Sequence, residues 1–175
     1  MSDWNLVSEE SAYGGWVKVA RRTFRMPDGA TSDWDVIQGS RTVAVVARTL
    51  SGDFLTVRQF RTGPMVMLDE LPGGYVRAEE EPLHAARREL REETGYEAGV
   101  LTLVGASWMA ANASVRRYFA LADDCVRVSE PEFGPLEFGE VCLHPLTDFV
   151  ALARSGDMTD QGAALRVLDH LGLLS

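Results

Sequence analysis

The sequence predicts an α/β protein: an α/β/α sandwich around a mixed sheet, preceded by a β-hairpin extension. Three observations lead there. Short β-prone runs both precede and follow one strongly patterned helix over Pro82 to Thr94. The chain closes on two helical stretches, Leu146 to Arg154 and Asp160 to Leu171, which offer cover for the second face of a sheet. At 175 residues, 46% hydrophobic and 25% charged, it has the length and composition of one ordinary globular domain with a proper core. Residues 1–175 therefore read as a single domain, with 1–40 as N-terminal strands and 41–175 as the main body.

The first fifteen residues carry Trp4, Leu6, Val7 and Tyr13 among acidic and small residues, a stretch too short for a domain and too apolar for a disordered tail. Trp16 to Met26 alternates as a strand, Pro27-Asp28-Gly29 turns the chain, and Asp33 to Gln38 returns it as the second arm of a hairpin. Thr42 to Ala47 is a continuous β-prone run, the pattern of a central strand buried on both faces. Ser51-Gly52-Asp53 then turns the chain into a strand over Phe54 to Arg61, and Val66 to Leu71 leads into the turn Pro72-Gly73-Gly74. Past the central helix, Val100 to Trp108 and Arg116 to Ala122 read as strands joined by the small residues Ala110 to Ser114. Ser129 to Gly139 is an acidic loop rich in Pro and Gly, ahead of a short strand over Glu140 to His144.

The central helix holds the chemistry. Pro82 suits a first helical position, where a missing N–H costs nothing, and Gly95 suits a C-terminal cap. At about 100° per residue, Leu83, Ala86 and Leu90 form one apolar stripe. Glu89, Glu92 and Glu93 lie beside it at i, i+3 and i+4, so three carboxylates sit together on a rigid element at the edge of a buried face. That arrangement suits a hard divalent cation. Three glutamates alone read more simply as a solvated acidic face, because exposed acidic neighbours repel by only about a few tenths of a kcal/mol. The wider pattern decides. Gly74, Glu80 and then Arg88-Glu89-Leu90-Arg91-Glu92-Glu93-Thr94-Gly95-Tyr96 reproduce G-x5-E-x7-R-E-U-x-E-E-x-G-U, where U is bulky and apolar and Tyr96 stands where an aliphatic is usual. Nine such matches in register arise by chance in well under one chain in about 10⁵. On these residues the chain resembles the Nudix hydrolases.

The resemblance extends outward. WNLVSEESAYGGWVKV followed by MPDG, then TVAVVA, LTVRQFR and ELPGG, is similar to the ADP-ribose pyrophosphatase branch, as is the C-terminal SGDMTDQGAALRVL. The resemblance implies a Nudix-type sandwich and hydrolysis of the diphosphate linkage in a nucleoside diphosphate sugar such as ADP-ribose, with Mg²⁺ or Mn²⁺ as cofactor. Carried over by motif position, Glu89, Glu92 and Glu93 would be the metal ligands, with the Gly73 carbonyl as a further one. Glu92 and Arg88 would belong to the catalytic set, Arg88 by orienting a ligating carboxylate. Arg61 and Arg58 would contact the diphosphate; the alternative is a salt-bridged arginine at a strand end. Glu70 would join the metal or substrate shell, or stand as a plain strand-end carboxylate, and Trp34 would stack on a nucleobase or pack in the core. The branch takes its general base from a loop before the final strand. Here that loop offers Glu130, Glu132 and Glu137; Glu137 fits the spacing, four residues before Val141 and between Gly134 and Gly139, with Glu140 as its rival. Residues 1–40 would exchange between the subunits of a homodimer, in keeping with the apolar surface of Trp4, Tyr13 and Trp16. One feature departs from the branch: its Ser-Pro-Gly-like segment has no counterpart in Trp108 to Ser114, which widens the expected substrate to nucleoside diphosphate sugars as a class.

Charge and cysteine content bound the setting. A net charge of −9 and a pI near 4.8 argue against a nucleic-acid surface or an anionic membrane as partner. They also mean that an anionic substrate needs bound cations or a few well-placed arginines. Cys125 and Cys142 are isolated and read as buried free thiols in a reducing compartment; with neither a signal peptide nor a membrane-length apolar run, the expected location is cytoplasmic. His84, His144 and His170 lack ligand spacing, and neither Ser114 nor Cys125 has a partnered base for covalent catalysis. Two further functions share the motif: a house-cleaning nucleoside triphosphate pyrophosphatase, and a non-catalytic module that binds a nucleotide sugar. The N-terminal extension argues against the first, and retention of all three helix glutamates against the second.

Overall fold

The computed structural model of the chain describes residues 3–135 and 138–174. In chain order it contains β1 (Asn5–Gly14), β2 (Lys18–Arg25), β3 (Thr31–Gln38), β4 (Thr42–Thr49), β5 (Phe54–Arg61), β6 (Val66–Glu70), β7 (Gly73–Tyr75), α1 (Pro82–Thr94), β8 (Tyr96–Glu97), β9 (Val100–Trp108), β10 (Arg116–Arg127), β11 (Gly139–His144), α2 (Leu146–Ser155) and α3 (Gln161–His170). The chain divides into two compact units, one of Met1–Arg41 with Ser107–Arg117, the other of Thr42–Ala106 with Tyr118–Ser175.

The smaller unit is built on a three-stranded antiparallel sheet in the order β1-β2-β3. β2 and β3 are the expected hairpin, paired without a slip from Lys18↔Gln38 to Arg25↔Thr31. β1 is an addition to what the sequence predicts. All ten of its residues are exposed, and its register shifts between Leu6 and Ser8 and again between Ser11 and Tyr13, so neither burial nor a regular period marks it as a strand. Trp34 joins Trp4 and Phe24 in an edge-to-face cluster, with ring centroids 5.6 and 5.8 Å from its own. The short segment after β9 also belongs here. Ile37 N–H donates to the Asn112 carbonyl and Ser114 N–H to the Ile37 carbonyl, both at 2.9 Å, so the residues that replace the branch's proline-containing segment run parallel to the edge of β3.

In the larger unit the sheet runs β11-β5-β4-β10-β8, with β6 paired to β5, β7 to β4 and β9 to β10. β4 shows why this is a sandwich. Its residues alternate between two cores: Val43, Val45 and Ala47 pack with Ala85, Ala86 and Leu90 of α1, whereas Ala44 and Val46 pack with Phe149, Ala153, Val167 and Leu168 of α2 and α3. β5 obeys the same parity, Leu55 facing α1 and Phe54 stacking on Phe149 at 4.5 Å between ring centroids. Each fully buried Val, Leu or Phe side chain among these stabilises the fold by about 1.5–3 kcal/mol. β10 runs five residues past the Ala122 end that the sequence predicts. It bends at Asp124, whose φ is +53°, a conformation an aspartate tolerates, and Arg48 grips the neighbouring Asp123 with bonds of 2.9 and 2.6 Å. β7 and β8, three and two residues long, carry no pattern that a sequence reading can detect.

Candidate active site

In the larger unit the flank of α1 meets the turn that precedes it, through Glu89 and Glu93. Pro82 begins the helix, and Gly95 ends it in the left-handed conformation at φ +75°, its N–H on the Arg91 carbonyl. A side chain there would be excluded twice over, because a Cβ on Gly95 would lie 2.2 Å from the Ser129 carbonyl oxygen. That closeness has a purpose. The Gly95 carbonyl accepts from Val128 N–H and Ser129 N–H, and the Glu92 carbonyl accepts from Glu132 N–H at 2.6 Å, so the start of the acidic loop is tied to the last turn of the helix.

At the other end of the carboxylate face, Gly74 comes so close that a Cβ on it would lie 2.5 Å from Glu89 Oε1. Glu93 reaches the same turn and accepts a hydrogen bond from Gly73 N–H at 2.8 Å. Arg88 gathers the rest. Its Nε and Nη2 donate to the two oxygens of Glu80 at 3.1 and 3.0 Å, and Nη2 also donates to the Tyr75 carbonyl. Its Nη1 donates to Glu89 Oε1 at 2.7 Å and to Glu92 Oε2 at 3.2 Å, so two of the helix carboxylates share one nitrogen. The Arg88 hydrogen bonds hold the Glu80 carboxyl well below its ordinary value, to about 2, and Glu80 in turn raises the Arg88 guanidinium. Among the described residues, no three acidic, histidine or cysteine side chains already surround one point as a finished metal cage.

Arg58 and Arg61 part company. Three positions apart on β5, they face opposite sides of the sheet. Arg61 shares its parity with Leu55 and Val57 on the α1 side, while Arg58 shares a groove with Asp69 and with Leu152 of α2. Asp69 takes Arg58 in a two-bond pair at 2.8 Å each and raises its guanidinium well above the usual value. Glu70 is fully buried. Its oxygens are held by Thr159, through the backbone N–H at 3.1 and 3.2 Å and the hydroxyl at 2.6 Å, and Arg61 Nη2 stands 3.6 Å from Oε2. Thr159 is the residue that sequence reasoning misses; its only trace is the similarity of its segment to the branch's ending. Trp34 belongs to the smaller unit, and Glu137 lies outside the described residues. Of the other loop acids, Glu130 pairs with Arg127, and Glu132 is engaged through its backbone.

Burial pushes the Cys125 thiol up to about 12 and raises that of Cys142, and both are free. Neither is poised as a nucleophile.

Comparison with known proteins identifies the family. A family profile for the NUDIX domain matches residues 39–164. An ADP-ribose pyrophosphatase of Bacillus subtilis (strain 168) is 28% identical over 169 residues, 95% of this chain and 91% of that protein. An ADP-sugar pyrophosphatase of Mus musculus is 32% identical over 162 residues, 83% of this chain and 72% of that protein. Among solved structures, an ADP compounds hydrolase superposes with a TM-score of 0.84 over 98% of this chain and 97% of its own, at 20% identity, a likeness of fold. The helix whose glutamates and arginine meet the Gly73–Gly74 turn is therefore what its spacing announces, and the chain belongs to the Nudix hydrolase family, in its ADP-ribose pyrophosphatase branch.

Proposed function

We propose that the chain is a metal-dependent diphosphatase that hydrolyses the diphosphate linkage of a nucleoside diphosphate sugar, with ADP-ribose as the first candidate. The observation that carries this is the sharing of Arg88 Nη1 by Glu89 and Glu92 beside a turn that also receives Glu93. The names of the two relatives, an ADP-ribose pyrophosphatase and an ADP-sugar pyrophosphatase, support the substrate class.

The residues fit the cofactor. Carboxylate and carbonyl oxygens are the donors that Mg²⁺ and Mn²⁺ prefer, and Glu89, Glu92, Glu93 and the Gly73 carbonyl supply only these. Because the three side chains are not already gathered at one point, they would rotate from their contacts with Arg88 and Gly73 to bind. Bound there, the cation would neutralise charge on the diphosphate oxygens and acidify the attacking water. The chain's own residues do the rest. Arg61, on the α1 side of the sheet, adds the positive charge that a chain of net −9 must concentrate locally to hold a diphosphate. Glu137 takes the water proton as the new P–O bond forms and the bridging P–O bond breaks, its electron pair leaving on the other phosphate. Support for Glu137 comes from the attachment of its loop to the Glu92 and Gly95 carbonyls, which anchors the near end of the loop at the last turn of the helix that carries Glu92 and Glu93.

We assign residues 1–40 to a homodimer contact, on the strength of the fully exposed β1 and of Trp16, 89% exposed. A cytoplasmic location accords with the two unpaired thiols. The test of the reaction is a screen of nucleotide sugars, dinucleotides and nucleoside triphosphates with Mg²⁺ and with Mn²⁺, read as phosphate released by a coupled phosphatase. ADP-ribose or a related nucleotide sugar should be turned over best. Turnover of triphosphates alone would overturn the assignment.

A further inference from the structure

Two arginine–carboxylate pairs sit three residues apart on β5, and they differ in a way that bears on substrate. Asp69, whose oxygens Thr159 does not reach, takes Arg58 in a two-bond pair at 2.8 Å. Glu70, one residue on, does not take Arg61 in that way. Its oxygens are occupied by three hydrogen bonds from Thr159, the shortest from the hydroxyl at 2.6 Å, and Arg61 Nη2 is left at 3.6 Å, beyond hydrogen-bonding distance. The remainder of the guanidinium is underused. Nη1 donates to Gln59 Oε1 at 3.3 Å, and Nε is buried with no hydrogen-bond partner. A buried donor left unpaired next to a buried carboxylate is costly and normally closes on it. Here the oxygen nearest Arg61, Glu70 Oε2, already accepts the Thr159 hydroxyl at 2.6 Å and the Thr159 N–H at 3.2 Å.

We propose that Thr159 is a positioning residue: by occupying Glu70 Oε2 it keeps Arg61 from collapsing into a two-bond pair, and so keeps the outer guanidinium nitrogens available for the diphosphate of the substrate. Glu70 still supplies the charge that holds Arg61 nearby. The inference deepens the diphosphatase reading and rests on its assignment of Arg61. It also gives the segment Met158-Thr159-Asp160, at the entry to α3, a part in binding from 89 residues away in sequence.

The experiment compares wild type, Thr159→Val, Thr159→Ser and the double variant Thr159→Val/Glu70→Gln. Thr159 is itself exposed, but its hydroxyl bonds a fully buried carboxylate, so the melting temperature of each variant is measured first and binding is compared where all are folded. Binding of α,β-methylene ADP-ribose is measured by calorimetry in the presence of EDTA, which removes the cation from the comparison, and kcat and KM are measured on ADP-ribose with Mg²⁺. Thr159→Val should weaken analogue binding and raise KM by about tenfold with kcat within about twofold, the mark of lost ground-state binding. Thr159→Ser should restore both. The double variant should recover most of the lost affinity, because no carboxylate remains to capture Arg61. Wild-type affinity in Thr159→Val, equal loss in the Val and Ser variants, or no recovery in the double variant would overturn the role given to the hydroxyl while leaving the diphosphatase reading intact. Failure of the wild type itself to bind the analogue and to hydrolyse ADP-ribose would overturn the underlying reading, and this inference with it.

Discussion

Arg88 and Glu80 meet as two planar forks, Nε on Oε1 at 3.1 Å and Nη2 on Oε2 at 3.0 Å, across the eight positions that separate the loop before α1 from its second turn. The pairing fixes which way the guanidinium faces. With Nε and Nη2 committed to Glu80, only Nη1 is presented to the carboxylate face, and both Glu89 and Glu92 bind it. Glu80 thus acts on the site through Arg88, and its own titration reports on the arrangement.

That titration predicts a pH dependence. The Glu80 carboxyl is lowered from 4.5 to about 2 by its hydrogen bonds from Arg88, so its contribution to stability is fully present above about 4.5 and fades as the pH falls towards about 2. In metal-free protein, the difference in denaturation midpoint between wild type and Glu80→Gln should be constant from neutral pH to about 5 and then narrow steadily in acid. A gap of the same size near pH 3 would show that the pair does not lower the Glu80 carboxyl in this way.

Gly74→Ala separates the site from the fold. The added Cβ would lie 2.5 Å from Glu89 Oε1, the end of a flexible side chain, so the carboxylate moves aside and the backbone need not. Direct Mn²⁺ binding, followed by electron paramagnetic resonance, should weaken by about tenfold, in the range for disturbing a ligand's surroundings. The melting temperature should stay close to that of wild type. Unchanged Mn²⁺ affinity would remove Glu89 from the ligand set.

The exposed N-terminal sheet predicts assembly. Trp4, Leu6, Val7, Tyr13 and Trp16 are each more than half exposed, an apolar surface that a partner would cover. Light scattering at micromolar concentration should give a mass near twice 19.2 kDa. A sharply monomeric mass with activity retained would contradict the dimer.

For the general base, Glu137→Gln should lower kcat by about 10²-fold or more with little change in substrate binding. The acid limb of the kcat profile should disappear with it. Wild-type behaviour of Glu137→Gln, together with loss of that limb in a helix-glutamate variant, would move the base onto α1.

Much of this site is legible in the sequence, and the reasons differ by residue. The helix from Pro82 to Gly95 is legible because proline, stripe and glycine agree with one another, and the carboxylate set follows from its spacing. β5 is legible to the residue because it is buried at one end and bounded by a Gly turn. β1 is not legible, since a strand exposed on both faces and bulged twice has no period to read. The opposite facings of Arg58 and Arg61 follow from strand parity alone. Their different partners do not. Thr159 meets Glu70 across 89 residues, and no local pattern around Met158-Thr159-Asp160 carries that information.

The central claim is that α1 holds a cation which drives diphosphate hydrolysis, and one comparison tests it most directly. ADP-ribose turnover at saturating Mg²⁺ is measured for wild type, Glu92→Gln and Glu93→Gln, with circular dichroism confirming the fold of each. Wild type should hydrolyse ADP-ribose, and each variant should lose at least about 10²-fold in kcat with its fold intact. Near-wild-type turnover in both variants would contradict the account.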